Sequence, residues 1–230
     1  MQNFYFNKLL LTVISYFVGA IPCGLITAMV MGAGDIRTMG SGNIGATNVL
    51  RTTGKLGGAI TLLLDALKGF IPVLIAKFLW GMDFWTFAIA FAAVVGHNFP
   101  VYLKFKGGKG VATSFGVLVA LWPVVGLITL GIWIVSIAKW KYSSLGALIS
   151  FALLPIVVLL WEKSIPYLIF SILISMMIYI RHIGNIKRLI AGEEKRVGGN
   201  KSSSAILLII LLLLSSNVFA QVNTSFDNSK

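Results

Sequence analysis

Long apolar runs alternate with short polar clusters along this chain, and the runs lie at about 9–31, 57–80, 84–103, 111–121, 123–138, 143–160 and 165–181. Each run predicts a helix, since about 20 residues at 1.5 Å rise are needed to cross a ~30 Å hydrocarbon core. The run 111–121 is short, so 111–138 admits a second reading as one long helix kinked at Pro123.

Charge chooses between the two readings. With seven segments, one side of the membrane carries Arg37, Arg51, Lys55, Lys104, Lys106, Lys109, Lys139, Lys141, Arg181, Lys187, Arg188, Lys195, Arg196 and Lys201. The other side shows Lys8 and Lys163, with Lys77 near its boundary. Merging 111–138 would move Lys139, Lys141 and the basic tail across. The positive-inside bias therefore predicts a seven-span bundle with its N-terminus outside and its basic loops cytoplasmic. The fourth segment is expected to start inside protein rather than lipid, because irregular backbone at depth needs shielding. Trp122 and Pro123 would mark its outer turn. Asp65 and Lys68 share a helix face within the second run and are expected to pair, either as structural glue or as part of a site.

Composition agrees with the pattern. The chain of 230 residues is 57% hydrophobic and 11% charged, with a mean hydropathy of +0.92, which places it among all-α polytopic integral membrane proteins. Its net charge of +12 is accounted for by topology, so no nucleic-acid partner is implied. One cysteine, Cys23, excludes an internal disulfide, and one Cys with two His argues against a structural zinc site. No metal and no cofactor is expected. The polar stretches 32–56 and beyond 181 are too short for a soluble core, so any site must be assembled from cytoplasmic loops and helix ends.

Three clusters supply candidates. The first is SGNIGATNVLR, Ser41 to Arg51. It reads either as a capped interfacial loop or as a polar pocket in which Gly42 and Gly45 admit a ligand and Arg51 forks onto a phosphate. The second, GHNFPVYLKFKGGKGVAT from Gly96 to Thr113, lacks the nucleotide-binding P-loop spacing, since Leu103 stands where a glycine is required. Glycines leading straight into a helix, with Lys109 beside them, nevertheless favour anion binding over a merely flexible basic loop. His97 reads as a local hydrogen-bonding residue. The third, RHIGNIKRLIAGEEKR from Arg181 to Arg196, reads as a basic juxtamembrane helix on anionic lipid. That reading leaves His182 and Asn185 unexplained. Ser143 or Ser144 opens the sixth run, able to cap that helix or to reach an anion. Guanidinium, ammonium, amide and hydroxyl groups on one face form a phosphate-binding inventory beside lipid.

In order and on one membrane side, SGN-x-GATN-x-x-R, GH-x-FP…FKGGKG-x-AT and RH-x-x-NI-x-RL-x-x-G-x-E resemble the three motifs of the PlsY family of bacterial acyl-phosphate:glycerol-3-phosphate acyltransferases. The resemblance covers roughly residues 5–198. It implies a seven-span enzyme of the bacterial cytoplasmic membrane that moves a fatty acyl group from acyl phosphate to the 1-hydroxyl of sn-glycerol 3-phosphate. Lysophosphatidic acid and phosphate are the implied products, and coupling to an acyl-phosphate-forming enzyme is implied with them. In agreement, the His-x-x-x-x-Asp dyad common among thioester-dependent acyltransferases is missing: Tyr102 follows His97 and Lys187 follows His182 at that spacing.

On this resemblance Ser41, Asn43 and Arg51 are expected to hold the donor phosphate, with Gly45, Thr47 and Asn48 in the same pocket. Lys109 and the amides of Gly107, Gly108 and Gly110 would hold glycerol 3-phosphate. His182 and Asn185 would orient its hydroxyls, and Ser144 and Arg188 would complete the phosphate contacts. Either His182 or the donor phosphate takes the proton. Glu194 reads as structural, pairing a nearby Arg. Ser41, Arg51, Lys109, His182 and Asn185 form the candidate catalytic set. The rival class is a transporter of a phosphorylated metabolite, disfavoured by the one-sided clusters and the lack of an internal repeat.

The chain is expected to divide into an acyltransferase domain, 1–198, and an extension, 199–230. The extension KSSSAILLIILLLLSSNVFAQ resembles a signal peptide and reads as an eighth, atypical hydrophobic segment.

Overall fold

The computed structural model describes residues 2–197; the proposed extension 199–230 lies outside them. Helices α1 (Gln2–Ala20), α2 (Cys23–Val30), α3 (Ala46–Trp80), α4 (Phe84–Asn98), α5 (Val111–Leu121), α6 (Pro123–Trp140), α7 (Ser143–Trp161), α8 (Ile165–Arg181) and α9 (Ile183–Ile190) follow in order. Five segments are long and apolar enough to cross a membrane: Phe4–Val30, α3, Phe84–Leu103, α6 and α7. A sixth results if α8 and α9, bent by 61°, count as one. The seven-span count is therefore not reached on length: α5 has 11 residues, about 16 Å at 1.5 Å rise.

The ends of the helices fall where backbone groups find partners. The first run breaks at Ile21–Pro22, and the Ile21 carbonyl exposed there accepts Lys68 Nζ at 2.8 Å. Lys68 is also 2.6 Å from Asp65 Oδ1, so the expected pair forms and mends the broken helix. At the far end of α5, Lys77 Nζ donates to the carbonyls of Ala120 (3.1 Å) and Leu121 (2.7 Å). A helix too short to cross the hydrocarbon core thus has its last acceptors satisfied, as burial requires. Lys8 pairs with Asp83, which also caps α4 by accepting from the Thr86 N–H at 2.9 Å.

Packing in lipid depends on close backbone approach, because apolar side chains gain little by leaving one hydrocarbon for another. Helix α3 meets α5 at two glycines: a Cβ on Gly69 would run into the Thr113 carbonyl, and one on Gly116 into that of Ala66. Phe115, Trp122, Phe151, Phe170 and Ile174 fill the buried centre among α4 to α8. Phe78, Phe84, Leu63 and Leu160 are exposed, as side chains facing lipid are expected to be.

Candidate active site

Helix α3 starts at Ala46, well ahead of the apolar run that predicts it, and is broken at Gly54 (φ 85°, ψ −171°), so a short helical arm, 46–53, precedes the spanning part. Thr47, Asn48 and Arg51 therefore sit on helix rather than in a loop. Thr47 and Arg51, four residues apart, share a face. Thr47 Oγ1 is 3.0 Å from Ser143 Oγ at the start of α7. Arg51 Nη2 donates to the Lys195 carbonyl at 2.9 Å, drawing the segment after α9 over the site. Asn48 works as a brace: its Oδ1 accepts from the Ser41 N–H at 2.8 Å, and its Nδ2 donates to the Ile36 and Met39 carbonyls at 3.1 and 3.0 Å. Asn43 Oδ1 accepts from the Gly45 N–H at 2.8 Å, closing the turn before the helix.

The second cluster folds back from α4. Gly110, at φ 81°, immediately precedes α5, so a glycine is needed there and the turn enters the helix as expected. The neighbouring glycines behave differently. The Gly108 N–H donates to the His97 carbonyl at 3.1 Å, while the Gly107 and Gly108 carbonyls accept from Arg181 at 2.9 and 3.0 Å. Lys109 has no hydrogen-bond partner among the described residues. Burial pushes its ammonium pKa down to about 8; the Glu194 carboxylate opposes that shift, and Arg188, Arg51 and Arg181 reinforce it.

At the corner between α8 and α9, His182 Nδ1 lies 2.8 Å from the Ile178 carbonyl. A carbonyl only accepts, so Nδ1 carries the proton and Nε2 is left as the acceptor. Burial lowers the His182 pKa to about 4, with the Lys109 charge adding to the effect. Glu194 gathers the rest. Its Oε1 accepts from Ser144 Oγ (2.7 Å) and Asn185 Nδ2 (2.6 Å), and its Oε2 accepts from Arg188 Nε (2.8 Å). Burial alone would raise the Glu194 pKa, but these bonds outweigh it and hold the carboxyl below its ordinary value. Neither Ser143 nor Ser144 caps α7, because both hydroxyls are engaged across the site instead; the residue before the helix is Tyr142.

One cavity of about 1780 Å³ collects these groups. Ser41, Asn43, Gly45, Thr47, Asn48, Arg51, Lys109, Gly110, Ser144, His182, Asn185 and Arg188 line it; Gly107 and Gly108 do not. Its apolar wall comes from Leu62 and Ala59 of α3 and from Trp133, Ile134 and Ile137 of α6. These wall residues look like any other lipid-facing stretch in sequence, and no local signal distinguishes them. Asp65 and His97 also line it, and for them the signal was present: ionisable residues within apolar runs.

A family model described as glycerol-3-phosphate acyltransferase matches residues 9–192. The chain belongs to that family. It is 45% identical over 197 residues to the glycerol-3-phosphate acyltransferase of Syntrophotalea carbinolica, covering 85% of this chain and 98% of that one. It is 49% identical over 203 residues to the enzyme of the same description from Gluconobacter oxydans, covering 86% and 96%. Among solved structures it resembles the crystal structure of PlsY, an integral membrane glycerol 3-phosphate acyltransferase, in its glycerol 3-phosphate form. There the TM-score is 0.80 and the identity 38%, covering 84% of this chain and 96% of that one. The lysophosphatidic acid form of PlsY aligns with a TM-score of 0.78 and 36% identity, covering 90% and 99%. The family match takes in the polar clusters as far as Gly192, so Glu194 falls just beyond it.

Proposed function

We propose that this acyltransferase moves a fatty acyl group from acyl phosphate to the 1-hydroxyl of glycerol 3-phosphate, releasing lysophosphatidic acid and inorganic phosphate. The observation that carries the reading is the single cavity in which Arg51, Lys109, His182, Asn185 and Arg188 meet beside the apolar wall of α3 and α6. Cations at one end suit two phosphoryl groups, and the apolar wall suits an acyl chain.

In this scheme Ser41, Asn43 and Arg51 hold the donor phosphate, with Thr47 beside them, and Arg51 offsets charge on the leaving group. Lys109 and the Gly110 end of α5 hold the phosphate of glycerol 3-phosphate. Asn185 and His182 Nε2 orient the glycerol hydroxyls, and Ser144 and Arg188 lie beside them. The glycerol oxygen attacks the acyl carbon, the bond from that carbon to the phosphate oxygen breaks, and the hydroxyl proton moves to the departing phosphate. A pKa of about 4 makes His182 a poor proton acceptor at neutral pH, so it positions the hydroxyl and the donor phosphate is the base. An acyl phosphate is an activated anhydride, and positioning with charge neutralisation supplies the rate.

The same reading places the motif loops on the cytoplasmic side of the bacterial inner membrane, with the N-terminus outside. The short α5 then serves as a seventh span within the protein, and an acyl-phosphate-forming enzyme feeds the site. Residues 1–198 would form the catalytic unit. The test gives purified protein glycerol 3-phosphate with palmitoyl phosphate or with palmitoyl-CoA. Lysophosphatidic acid is expected from the phosphate donor alone; product from palmitoyl-CoA at an equal rate would overturn the donor assignment. Labelling of single cysteines placed at Lys106 and Lys163 from either side of the membrane tests the orientation.

A further inference from the structure

The Gly107–Gly108 turn does not present its own groups to the cavity. Its one bonded amide points at the His97 carbonyl and both of its carbonyls are held by Arg181. Arg181 is itself steadied over the Phe99 ring at 5.1 Å. Neither glycine has a positive φ, so backbone conformation does not require them. Space does. A Cβ on Gly108 would run into His97 Nε2, and one on Gly107 into the His97 carbonyl and Pro100, with the Asn98 carbonyl at 2.8 Å. The imidazole is thus wedged against the turn by its Nε2 edge. Its other edge faces Asp65: Oδ1 is 3.5 Å from Nδ1, an electrostatic contact longer than a tight hydrogen bond. Asp65 in turn is fixed by Lys68 at 2.6 Å, and Lys68 by the Ile21 carbonyl at the α1–α2 break. All three of Asp65, Lys68 and His97 are buried.

From this geometry we infer that Asp65, His97 and Arg181 are positioning residues that clamp the Gly107–Gly108 turn from two sides and so aim Lys109 into the cavity. The glycines are the fitting that admits the clamp; Lys109 makes the contact with the ligand. The inference rests on the assignment of Lys109 to the glycerol 3-phosphate phosphate made above. It also explains why two ionisable side chains are kept at the cavity floor, where an unpaired charge would be costly.

The test measures kcat and both KM values in the purified full chain, with folding followed by size-exclusion profile and thermal melting. His97→Asn keeps a polar atom near the Nδ1 position but loses the edge that meets Gly108, whereas His97→Gln extends to that edge. Arg181→Lys replaces the fork with a single point of donation. Asp65→Asn is made together with Lys68→Met, so that no lysine is left buried without its partner. His97→Asn, Arg181→Lys and the Asp65/Lys68 double variant are each expected to raise KM for glycerol 3-phosphate about tenfold, as a displaced binding group does. They should change kcat and KM for palmitoyl phosphate by less than about threefold, and His97→Gln, which keeps the Gly108 edge but loses the Nδ1 contact with Asp65, should raise KM for glycerol 3-phosphate less than His97→Asn does.

Combining His97→Asn with Lys109→Ala should weaken binding no further than Lys109→Ala alone, because both remove one contact. A merely structural role gives additive losses instead, and that outcome overturns the proposal. So does an unchanged KM in folded clamp variants when Lys109→Ala raises it. If Lys109→Ala itself leaves KM unchanged, the Lys109 assignment fails first and the clamp has nothing to aim. Should Arg181→Lys fail to fold, the His97 pair, which differ by one methylene, decides the question.

Discussion

Replacing Lys109 by Ala removes an ammonium that lines the cavity and has no hydrogen-bond partner among the described residues. A charge-assisted hydrogen bond contributes about 1.5–3 kcal/mol. At 1.36 kcal/mol per factor of ten, KM for glycerol 3-phosphate should rise about 10- to 150-fold at pH 7, with kcat much less affected. The pKa of about 8 adds a second arm. Lys109 is charged below that pH and neutral above it, so kcat/KM for glycerol 3-phosphate should fall about tenfold per unit on the alkaline side. The substrate phosphate is a dianion throughout that range and contributes no slope, given a second pKa of about 6. Lys109→Arg keeps its charge to far higher pH and should flatten the limb even if its own KM is worse. The assay is lysophosphatidic acid formation from labelled glycerol 3-phosphate at saturating palmitoyl phosphate, between pH 6.5 and 9.5. A KM within twofold of wild type for Lys109→Ala refutes the reasoning, as does an alkaline limb that persists in Lys109→Arg.

Because the His182 pKa is held near 4, the imidazole should stay neutral, with its proton on Nδ1, in nitrogen NMR spectra recorded from pH 8 down to pH 5; protonation near pH 6.5 would restore it as a candidate base. Glu194→Ala strips the shared acceptor from Ser144, Asn185 and Arg188, so a loss of about 2 kcal/mol is expected. That corresponds to a drop of about 4–8 °C in the melting midpoint, and an unchanged midpoint would show that the hub is not held in solution. Gly116→Leu forces a side chain into the Ala66 carbonyl and should abolish the α3–α5 contact, seen as a loss of folded material in detergent. The same substitution at Gly192, which has open space around it but φ of 71°, should cost only about 1 kcal/mol.

Much of the architecture could be read along the chain because the bilayer imposes a local requirement. Each run from 57–80 to 165–181 overlaps a helix, since lipid selects apolar side chains turn by turn. The exceptions are places where a distant group satisfies the backbone. The break at Pro22 survives because Lys68 reaches the Ile21 carbonyl, and α5 can stop early because Lys77 donates to its last carbonyls. The arm of α3 from Ala46 to the break at Gly54 was hidden by its polar side chains, which hydropathy reads as loop, whereas the run at 57–80 begins just past that break. In the site, His182 and Asn185 stood out as polar residues that a basic juxtamembrane helix did not explain, and Arg51 and Lys109 through the amide- and glycine-rich clusters around them. Nothing in their neighbourhoods separated Asn48, a brace, from Thr47, which faces Ser143, nor revealed that Glu194 binds three partners.

By itself, then, the sequence determined an all-helical membrane protein and predicted that its basic and amide-rich groups gather near one surface, since hydropathy and charge act on each segment where it stands. The tertiary structure alone decided which of those groups face one cavity. Contacts such as Arg181 with Gly108, Arg51 with Lys195 and Ser144 with Glu194 join residues far apart in the chain. They are fixed by how closely the helices approach, and that distance depends on side chains from several elements at once.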